Sequence, residues 1–267
     1  MQKIVFAIGL ALFYSVLAAA QVKVKGRICD TNGQGIEYVS INVDSLFAIS
    51  DAEGVFEMDV PKGHTAPMVF RHISYRSKEV PFDVYKSGCV DVELEESAQE
   101  LPLILVSNKK LKEKSVSHKG LKVPGDVAFN NINHTVYEIG PVVNNKKDYI
   151  IKSLHFKVEE CTYTNCTIRI VIYEMSQGEY TPVQRNPIYM DFSDKTQFTE
   201  HTVEVKEEIM LKKGRRYYVG VAMVSSNGKG SIHFPAYLHS GYIRNSATGQ
   251  TYKLPATLGI SMKGVVW

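Results

Sequence analysis

A histidine and a glutamate stand at a spacing that could hold zinc, in the stretch His201-Thr-Val-Glu204. Zinc peptidases use a His-x-x-Glu pair of this kind to bind the metal. The surrounding residues HTVEVKEE alternate between polar and apolar side chains, which predicts a β-strand. Successive side chains of a strand point to opposite faces, so we expect His201 and Glu204 to point apart. A zinc site also needs a third ligand, and we interpret the spacing as coincidental.

Other sequence motifs that could support catalysis are absent or incomplete in this chain. It contains no G-x-S-x-G nucleophile motif and no glycine-rich phosphate loop. The pairs Glu159 with Glu160 and Glu207 with Glu208 would face opposite ways on a strand, so neither makes an acid and base couple alone. The segment Asp191–Asp194 could help to bind calcium in a loop or could be a solvated turn. We therefore expect no catalytic residues, no metal and no cofactor.

A cluster of aromatic and polar residues near the C-terminus gives the candidate binding site. Tyrosine rings beside hydrogen-bond donors suit a shallow site for a sugar or a peptide. The alternative is that the tyrosines pack along the edge of a sandwich, and the only tryptophan, Trp267, lies outside the cluster. We expect a loop-rich stretch here, because a rigid sandwich presents its binding residues on loops. The candidate residues are Tyr237, His239, Tyr242, Arg244, Asn245 and Tyr252.

A second motif, Asp51-Ala-Glu-Gly54-Val-Phe56, has the spacing of either a ligand loop or a turn. Asp51 can accept hydrogen bonds from nearby backbone N–H groups, Gly54 can adopt a positive φ, and Phe56 can begin an inward-facing strand. A calcium or phosphate site would need more ligands than the flanking Glu53 and Glu57 provide. The motif therefore predicts a hairpin turn.

The elements that must position these residues are β-strands. From residue 21 onward, short runs with alternating polar and apolar side chains are separated by Gly, Pro, Asp and Ser. Seven or so such strands predict a small antiparallel sandwich that ends near Glu96. The runs are VKVKGRI, YVSINV, VFEMDV, MVFRHI, KEVPFDV and VDVELEE.

The same region resembles a known family. The stretches VKGRICDTNGQGIEYVSINV, AISDAEGVFEMDVP and FRHISYRSKEV are similar to the carboxypeptidase-regulatory-like domain, a transthyretin-like sandwich common in exported proteins of Bacteroidetes. The likeness departs at Ser74, where the family often has Gly. It implies a fold and no chemistry, since the family is named after a noncatalytic domain attached to metallocarboxypeptidases. The matching residues are Gly26, Asp30, Gly33, Asp51, Gly54, Phe56 and Tyr75.

The rest of the chain predicts a connecting region and a second all-β domain. Residues 21–96 are the predicted regulatory-like domain, 97–123 a connecting strand and basic linker, and 124–267 a jelly-roll-like β-sandwich. Leu101–Lys110 resembles the strand that joins such a domain to the plug of TonB-dependent transporters, but no plug or barrel follows. The six lysines between 109 and 122 predict a solvated linker, with a docking arm for an acidic partner as the alternative.

The N-terminus predicts export. Lys3 precedes the apolar run IVFAIGLALFYSVL and the small residues Ala18–Ala20, which together are typical of a signal peptide over residues 1–20. No second apolar run is long enough to span a membrane. The formal net charge of +3 favours neither nucleic acid nor an acidic membrane surface as a partner. We expect a periplasmic or cell-surface location.

Four cysteines follow the predicted signal peptide, and an exported protein can form disulfides. Cys161 and Cys166 flank the turn-like TYTN, so we predict a disulfide across that loop, with two thiols as the alternative. Pairing of Cys29 with Cys89 is left open.

These observations favour an exported, noncatalytic protein that binds or scaffolds, with a glycan or a protein as its ligand. One alternative is a hydrolase whose site is assembled from non-adjacent residues of the second domain, which a carboxylate pair in one cleft would favour. Another is a structural accessory of an outer-membrane complex, which a co-purifying membrane partner would favour.

Overall fold

The computed structural model describes residues 21–97, 111–118, 120–130 and 136–266. The predicted signal peptide and the segment Leu101–Lys110 lie outside the described residues. The chain divides into two compact units, Met1–Glu96 and Ser97–Trp267. Both units are built almost entirely of β-strands, which confirms the all-β prediction.

The described part of the first unit contains seven strands and one short helix: β1 (Gln21–Asp30), β2 (Ser40–Val43), β3 (Leu46–Ile49), β4 (Val55–Pro61), β5 (Met68–His72), β6 (Tyr75–Val80), α1 (Phe82–Tyr85) and β7 (Val92–Leu94). One sheet has the order β4-β1-β7 and the other β3-β2-β5-β6. On β4, Phe56, Met58 and Val60 are buried and the residues between them are exposed. Phe56 meets Phe70 of β5 edge to face at 5.7 Å, so the two sheets share one core.

One strand of the first unit is shorter than the sequence predicts. KEVPFDV has strand-like alternation, yet β6 ends at Val80 and α1 begins at Phe82. Pro81 explains the difference, because proline has no N–H to donate to a strand ladder and its fixed φ suits the start of a helix. The Tyr85 side chain is buried at the end of α1, and its hydroxyl donates to the carbonyl of Ala66.

The Asp51–Phe56 motif forms the predicted turn. Asp51 Oδ1 accepts hydrogen bonds from the backbone N–H groups of Glu53 and Val55, at 3.1 and 2.8 Å. Gly54 has a φ of 77°, in the left-handed region that favours glycine. Phe56 then enters β4 with its ring buried. The Asp51 carboxylate, which could have suggested a ligand site, therefore stabilises the backbone of its own turn.

The second unit contains twelve described strands: β8 (Lys112–His118), β9 (Lys122–Asn130), β10 (Tyr137–Asn144), β11 (Tyr149–Cys161), β12 (Cys166–Ser176), β13 (Glu179–Pro182), β14 (Ile188–Phe192), β15 (Gln197–Leu211), β16 (Arg216–Ser226), β17 (Ser231–Asn245), β18 (Thr251–Leu258) and β19 (Ile260–Val266). Hydrogen bonds join them in the order β13-β12-β16-β10-β17-β11-β19-β8. In addition, β14 pairs with β12, β15 with β11, and β18 and β9 with β17.

The strands of the second unit enclose one apolar core. Phe156 of β11 lies 6.4 Å from Phe192 of β14 and 6.1 Å from Phe234 of β17, measured between ring centroids. Rings from three separated strands meet because the connected sheet folds over itself into a sandwich-like arrangement. Along β15 and β19 the more buried residues alternate with less buried ones, as the sequence pattern predicts, whereas β10, β12 and β16 are buried on both faces over most of their length.

Two consecutive strands, β14 and β15, lie at the edges of this arrangement. A turn joins them, in which Thr196 N donates to Ser193 O at 2.8 Å, but the two strands do not pair with each other. Instead, β14 pairs with β12 and β15 with β11. Among the described strands, each therefore has one edge without a partner strand.

The predicted linker over 97–123 differs from the structure at its C-terminal end. Lys112–His118 is strand β8, which pairs antiparallel with β19 from Lys112 opposite Val266 to His118 opposite Ile260. Val116 packs against the core, whereas Lys112 and Lys114 are exposed. Two of the lysines that suggested a solvated linker, Lys112 and Lys114, thus lie on a charged strand at the end of the sheet order, a common protection against edge-to-edge aggregation.

Candidate functional site

All six residues of the predicted aromatic site lie on strands, so the expectation of a loop-rich stretch is wrong. Tyr237 to Asn245 belong to β17 and Tyr252 to β18. In this hairpin Arg244 pairs with Thr251 and Ile243 with Tyr252. Adjacent residues point to opposite faces, and Tyr252 therefore projects from the face opposite to that of Arg244. The six residues do not form one surface.

Arg244 belongs to a buried ion network centred on Glu138, whose side chain is 1% exposed. The Nη1 atom of Arg244 lies 2.8 Å from Glu138 Oε2. Arg169 donates from Nη2 to Glu138 Oε1 at 3.2 Å, and the Tyr173 hydroxyl donates to the same oxygen at 2.8 Å. One carboxylate thus receives three donors from two other strands, β12 and β17.

Sheet register explains why these residues meet. Glu138 on β10 pairs with Arg244 on β17, and Arg169 on β12 pairs with Ala222 on β16. Ile139 pairs with Val221, which places Glu138 beside Ala222. The small side chain of Ala222 leaves room for Arg169 to reach across β16. Glu138, Arg169 and Arg244 therefore form one row on the sheet face that points away from the apolar core.

Aromatic rings enclose the same network. The Arg244 guanidinium lies 4.9 Å from the ring centroid of Tyr173 and 5.1 Å from that of Tyr180, within cation–π range. Tyr218 stacks on Tyr173 at 6.1 Å. Burial raises the pKa of the Tyr173 hydroxyl, and the Glu138 charge raises it further. Burial would lower the pKa of Arg244, but the attraction of Glu138 and the neighbouring tyrosines outweighs it and the pKa rises.

Two other candidate residues have local structural partners. Asn245 Oδ1 accepts hydrogen bonds from the N–H groups of Ala247 and Thr248, at 2.9 and 3.0 Å, and so supports the turn between β17 and β18. His239 Nδ1 lies 2.8 Å from the carbonyl oxygen of Ser240. Of the six residues, Tyr252 has the most exposed ring, at 59%. Tyr237 and Tyr242 lie on β17 and Tyr252 lies on β18, so the tyrosines of this region are spread over two strands.

The His201 and Glu204 side chains lie on opposite faces of β15, as predicted. His201 is half-buried, stacked on Phe156 at 5.9 Å and edge to face with Phe192 at 4.9 Å, and burial lowers its pKa. Glu204 is exposed. Asp191 of the candidate calcium segment accepts a hydrogen bond from the Thr167 hydroxyl at 2.6 Å. Within the described residues, no three His, Cys, Asp or Glu side chains are grouped as metal ligands.

The cysteines are thiols in this structure. Cys161 and Cys166 are buried with their sulfur atoms 3.6 Å apart. Burial raises the pKa of the Cys166 thiol, and the neighbouring Cys161 adds to this effect. Cys89 lies opposite Lys25 while Cys29 lies opposite Glu93, four residues further along β1. At the usual rise per residue, four residues along β1 place Cys29 and Cys89 about 13 Å apart, which is beyond the reach of a disulfide.

The disulfide between Cys161 and Cys166 stays a prediction, and the short distance between the sulfurs favours it after export. Mass spectrometry of the chain, denatured without reductant and then alkylated, should find the two peptides joined and lighter by two hydrogens. Cys29 and Cys89 serve as internal controls and should be alkylated. Alkylation of Cys161 and Cys166 to the same extent as the controls would contradict the prediction.

A concave surface of the second unit is lined by residues of β14 and β15. We call it the edge groove, formed by Asn186–Tyr189 and Val203–Glu207, with a volume of about 350 Å³. Ile188, Val203 and Val205 line its floor and pack against the core. Tyr189 at the rim is 36% exposed. The groove therefore combines an apolar floor with a polar rim, as ligand sites do.

A large bulge in β15 shapes this groove. Opposite β11, Ile151 pairs with Ile209 but Ser153 pairs with Glu204, so residues 205–208 lie outside the ladder against the single residue Lys152. The Glu207 carboxylate accepts hydrogen bonds from the N–H groups of Arg185 and Asn186, at 3.0 and 3.3 Å. This pair of contacts ties the bulge to the segment before β14 and holds the groove open.

Sequence reasoning missed the edge groove, although one signal was present. VEVKE continues the alternation of β15 as far as Glu207, and the register shift depends on β11, which lies about fifty residues earlier. The doubled Glu207 and Glu208 interrupt a pattern in which charged and apolar residues otherwise alternate. Such an interruption in a long strand is typical of a bulge.

Comparison with known proteins adds little. No protein-family model matches the chain, and no curated protein matches it either. Among solved structures it is similar to a chain from "Structure of infectious bursal disease virus Gx strain", with 10% sequence identity and a TM-score of 0.23. The match covers 92% of this chain and 63% of that chain. A likeness this weak carries no argument about function, and the resemblance to the regulatory-like family stays a prediction.

Proposed function

We propose that the protein is a binding protein whose second unit takes an extended polypeptide into the edge groove. The observation that carries the proposal is that the groove is lined by residues of β14 and β15, two strands that each have only one described partner strand. An edge strand offers unpaired backbone N–H and C=O groups, and an added peptide strand can pair with them. A glycan has no such repeating backbone.

The side chains around the groove favour a peptide with alternating character. Ile188, Val203 and Val205 would accept apolar side chains that point inward, while the polar rim would face the intervening residues. Glu204 and Lys206 are exposed at this rim, and Glu207 already accepts backbone donors. A lysine or arginine next to Glu204 would add charge complementarity. The expected ligand is an extended peptide that alternates apolar and basic or polar residues.

The replacement Tyr189→Ala tests the site. We expect peptide affinity to fall about tenfold or more, because an aromatic side chain at the rim of a binding groove commonly contributes over 1 kcal/mol. The melting temperature should change little, since the ring is partly exposed. Binding of the full chain to an array of short peptides identifies the probe, and titration of that peptide gives the affinity.

Tyr252→Ala is the matched control, because it removes an exposed tyrosine from a strand outside the groove. It should leave peptide affinity unchanged. The array peptide with the highest affinity can be N-methylated on alternate residues. This modified peptide should lose binding, because its backbone can then no longer pair with an edge strand. Binding that is lost in Tyr252→Ala and kept in Tyr189→Ala, or glycan binding alone on a parallel array, would contradict the proposal.

The cellular location and the possible partners of the protein are predicted from the sequence alone. The N-terminal apolar run supports export, and a binding role agrees with a noncatalytic regulatory-like domain; both stay predictions, as does membership of an outer-membrane complex. Across the described residues, no helix is both long and apolar enough to cross a membrane.

A further inference from the structure

Ser231, His233 and Asp126 form a hydrogen-bonded relay in the second unit, outside the edge groove. Ser231 and His233 lie two residues apart on one face of β17, and the Ser231 hydroxyl is 2.7 Å from His233 Nε2. The other ring nitrogen, Nδ1, contacts the carboxylate of Asp126 on the neighbouring strand β9. The order of the groups, hydroxyl to Nε2 and carboxylate to Nδ1, is that of a serine nucleophile with its base and orienting acid.

The same chain provides two related arrangements. His155 Nε2 lies 2.9 Å from the Ser153 hydroxyl, and its Nδ1 lies 2.8 Å from the Thr202 hydroxyl. His201 Nε2 lies 2.7 Å from the Thr199 hydroxyl. A hydroxyl two residues before a histidine is thus a recurrent feature of these strands. At His233 the second ring nitrogen contacts a carboxylate, which is the group that can stabilise an imidazolium.

A pocket of about 220 Å³ is lined by two of the three groups of the relay, and the third, the Ser231 hydroxyl, lies 2.7 Å from the lining His233. His233 and Asp126 line it together with Glu159 and Glu160 of β11. Lys122 pairs with Glu159 at 2.6 Å, which leaves the pocket with an excess of negative charge. Such a pocket attracts cations.

The backbone at Phe198, a residue that lines this pocket, is also strained. Phe198 has a φ of 48°, in the left-handed region that a bulky residue rarely adopts, and its ring is 72% exposed. Backbone strain of this kind is concentrated at functional sites. An exposed apolar ring held in a strained conformation beside the relay offers a contact surface for the acyl portion of a substrate.

We propose that Ser231 is a nucleophile for activated acyl esters that carry a positive charge. The Ser231 hydroxyl oxygen attacks the carbonyl carbon while His233 Nε2 takes its proton, and Asp126 stabilises the resulting imidazolium at Nδ1. The bond to the leaving oxygen then breaks, that oxygen receives the proton from Nε2, and the acyl group remains on Ser231. Water attacks the acyl group with His233 again as base, which releases the acid and restores the serine.

The surroundings of Ser231 also limit the expected rate. Its backbone N–H donates to the Thr162 hydroxyl at 2.8 Å and is not available to stabilise an oxyanion. One oxyanion donor is commonly worth about 100-fold to 1,000-fold in rate. Activated substrates are therefore the appropriate probes.

Labelling of the full chain with a fluorophosphonate, followed by peptide mass spectrometry, tests the nucleophile. We expect an adduct on Ser231 and none on Ser153 or Thr199, which serve as controls within the same molecule. His233→Gln and Asp126→Asn should each slow the labelling about tenfold or more. Circular dichroism of these partly exposed variants checks that they remain folded. No adduct on Ser231, or labelling at an unchanged rate in folded His233→Gln, would overturn the proposal.

The substrate class has its own test. Nitrophenyl esters of a lysine derivative and of a glutamate derivative should acylate Ser231 at different rates, with the lysine ester faster. Glu160→Gln should reduce that difference, because it removes a pocket carboxylate that lies opposite His233 in the strand ladder while Ser231, His233 and Asp126 are all retained. Equal rates for the two esters in the wild type would overturn the assignment of a cationic substrate. These measurements do not involve the edge groove, and peptide binding there can fail or succeed independently.

Discussion

Glu138→Ala is expected to lower the free energy of unfolding of the second unit by about 3–5 kcal/mol, because it leaves two buried guanidinium groups without their carboxylate. The Glu138 side chain is 1% exposed and that of Arg169 is 7% exposed, so water cannot replace the lost partner in the folded state. The Nε atoms of both Arg169 and Arg244 already lack a hydrogen-bond partner. The network therefore already has more donors than acceptors before Glu138 is removed.

Chemical denaturation of the full chain measures this effect, with the transition of the second unit followed separately. Arg215→Ala is the control, because it breaks a pair with Glu174 in which Arg215 is 56% exposed, and it should cost less than about 1 kcal/mol. Replacing Glu138, Arg169 and Arg244 together by Leu, Met and Met should recover much of the loss, since no charge then remains buried. A loss below about 1 kcal/mol for Glu138→Ala would show that the network does not stabilise the fold.

The network also explains why the predicted aromatic site is not a free surface. Arg244 looked available because its partner cannot be identified from the local sequence. Glu138 stands 106 residues before Arg244, and β-sheet register alone brings the two together. Local alternation identified the strand on which Arg244 lies, but it could not identify the strand opposite.

The strands of the first unit could be predicted for the opposite reason. Asp51, Gly54 and Phe56 act within six consecutive residues, so the sequence contains both the turn and its cause. Most strands there bury alternate residues, and two of the strand pairings, β2 with β3 and β5 with β6, join strands that are consecutive in the sequence. The exception, KEVPFDV, contains a proline whose missing N–H outweighs the alternation around it.

The edge groove and the relay both depend on distant register. The bulge at residues 205–208 exists only in relation to β11, and the relay needs β9 to bring Asp126 beside His233. Non-local pairings of this kind leave no periodic trace in a single strand. The expectation that any hydrolase site would be assembled from non-adjacent residues agrees with the relay, whose catalytic role remains our proposal.

Gly54→Ala is expected to destabilise the first unit by about 2–5 kcal/mol through two separate effects. The left-handed φ of 77° costs a residue with a β-carbon about 1–2 kcal/mol. A β-carbon at this position would also lie 2.2 Å from the backbone oxygen of Ile28, and backbone atoms cannot move away as a flexible side chain can. Overpacking of this kind adds about 1–3 kcal/mol.

Gly33→Ala separates the two effects, because Gly33 has nearly the same φ, 80°, but a β-carbon added there would have no neighbouring atom within 4 Å. It should cost only the backbone contribution, about 1–2 kcal/mol. Thermal or denaturant unfolding of the two variants, compared within the first unit, gives the difference directly. Equal losses would mean that β1 can shift away from the turn, and that the close approach of Gly54 to Ile28 does not fix the packing of β1 on β4.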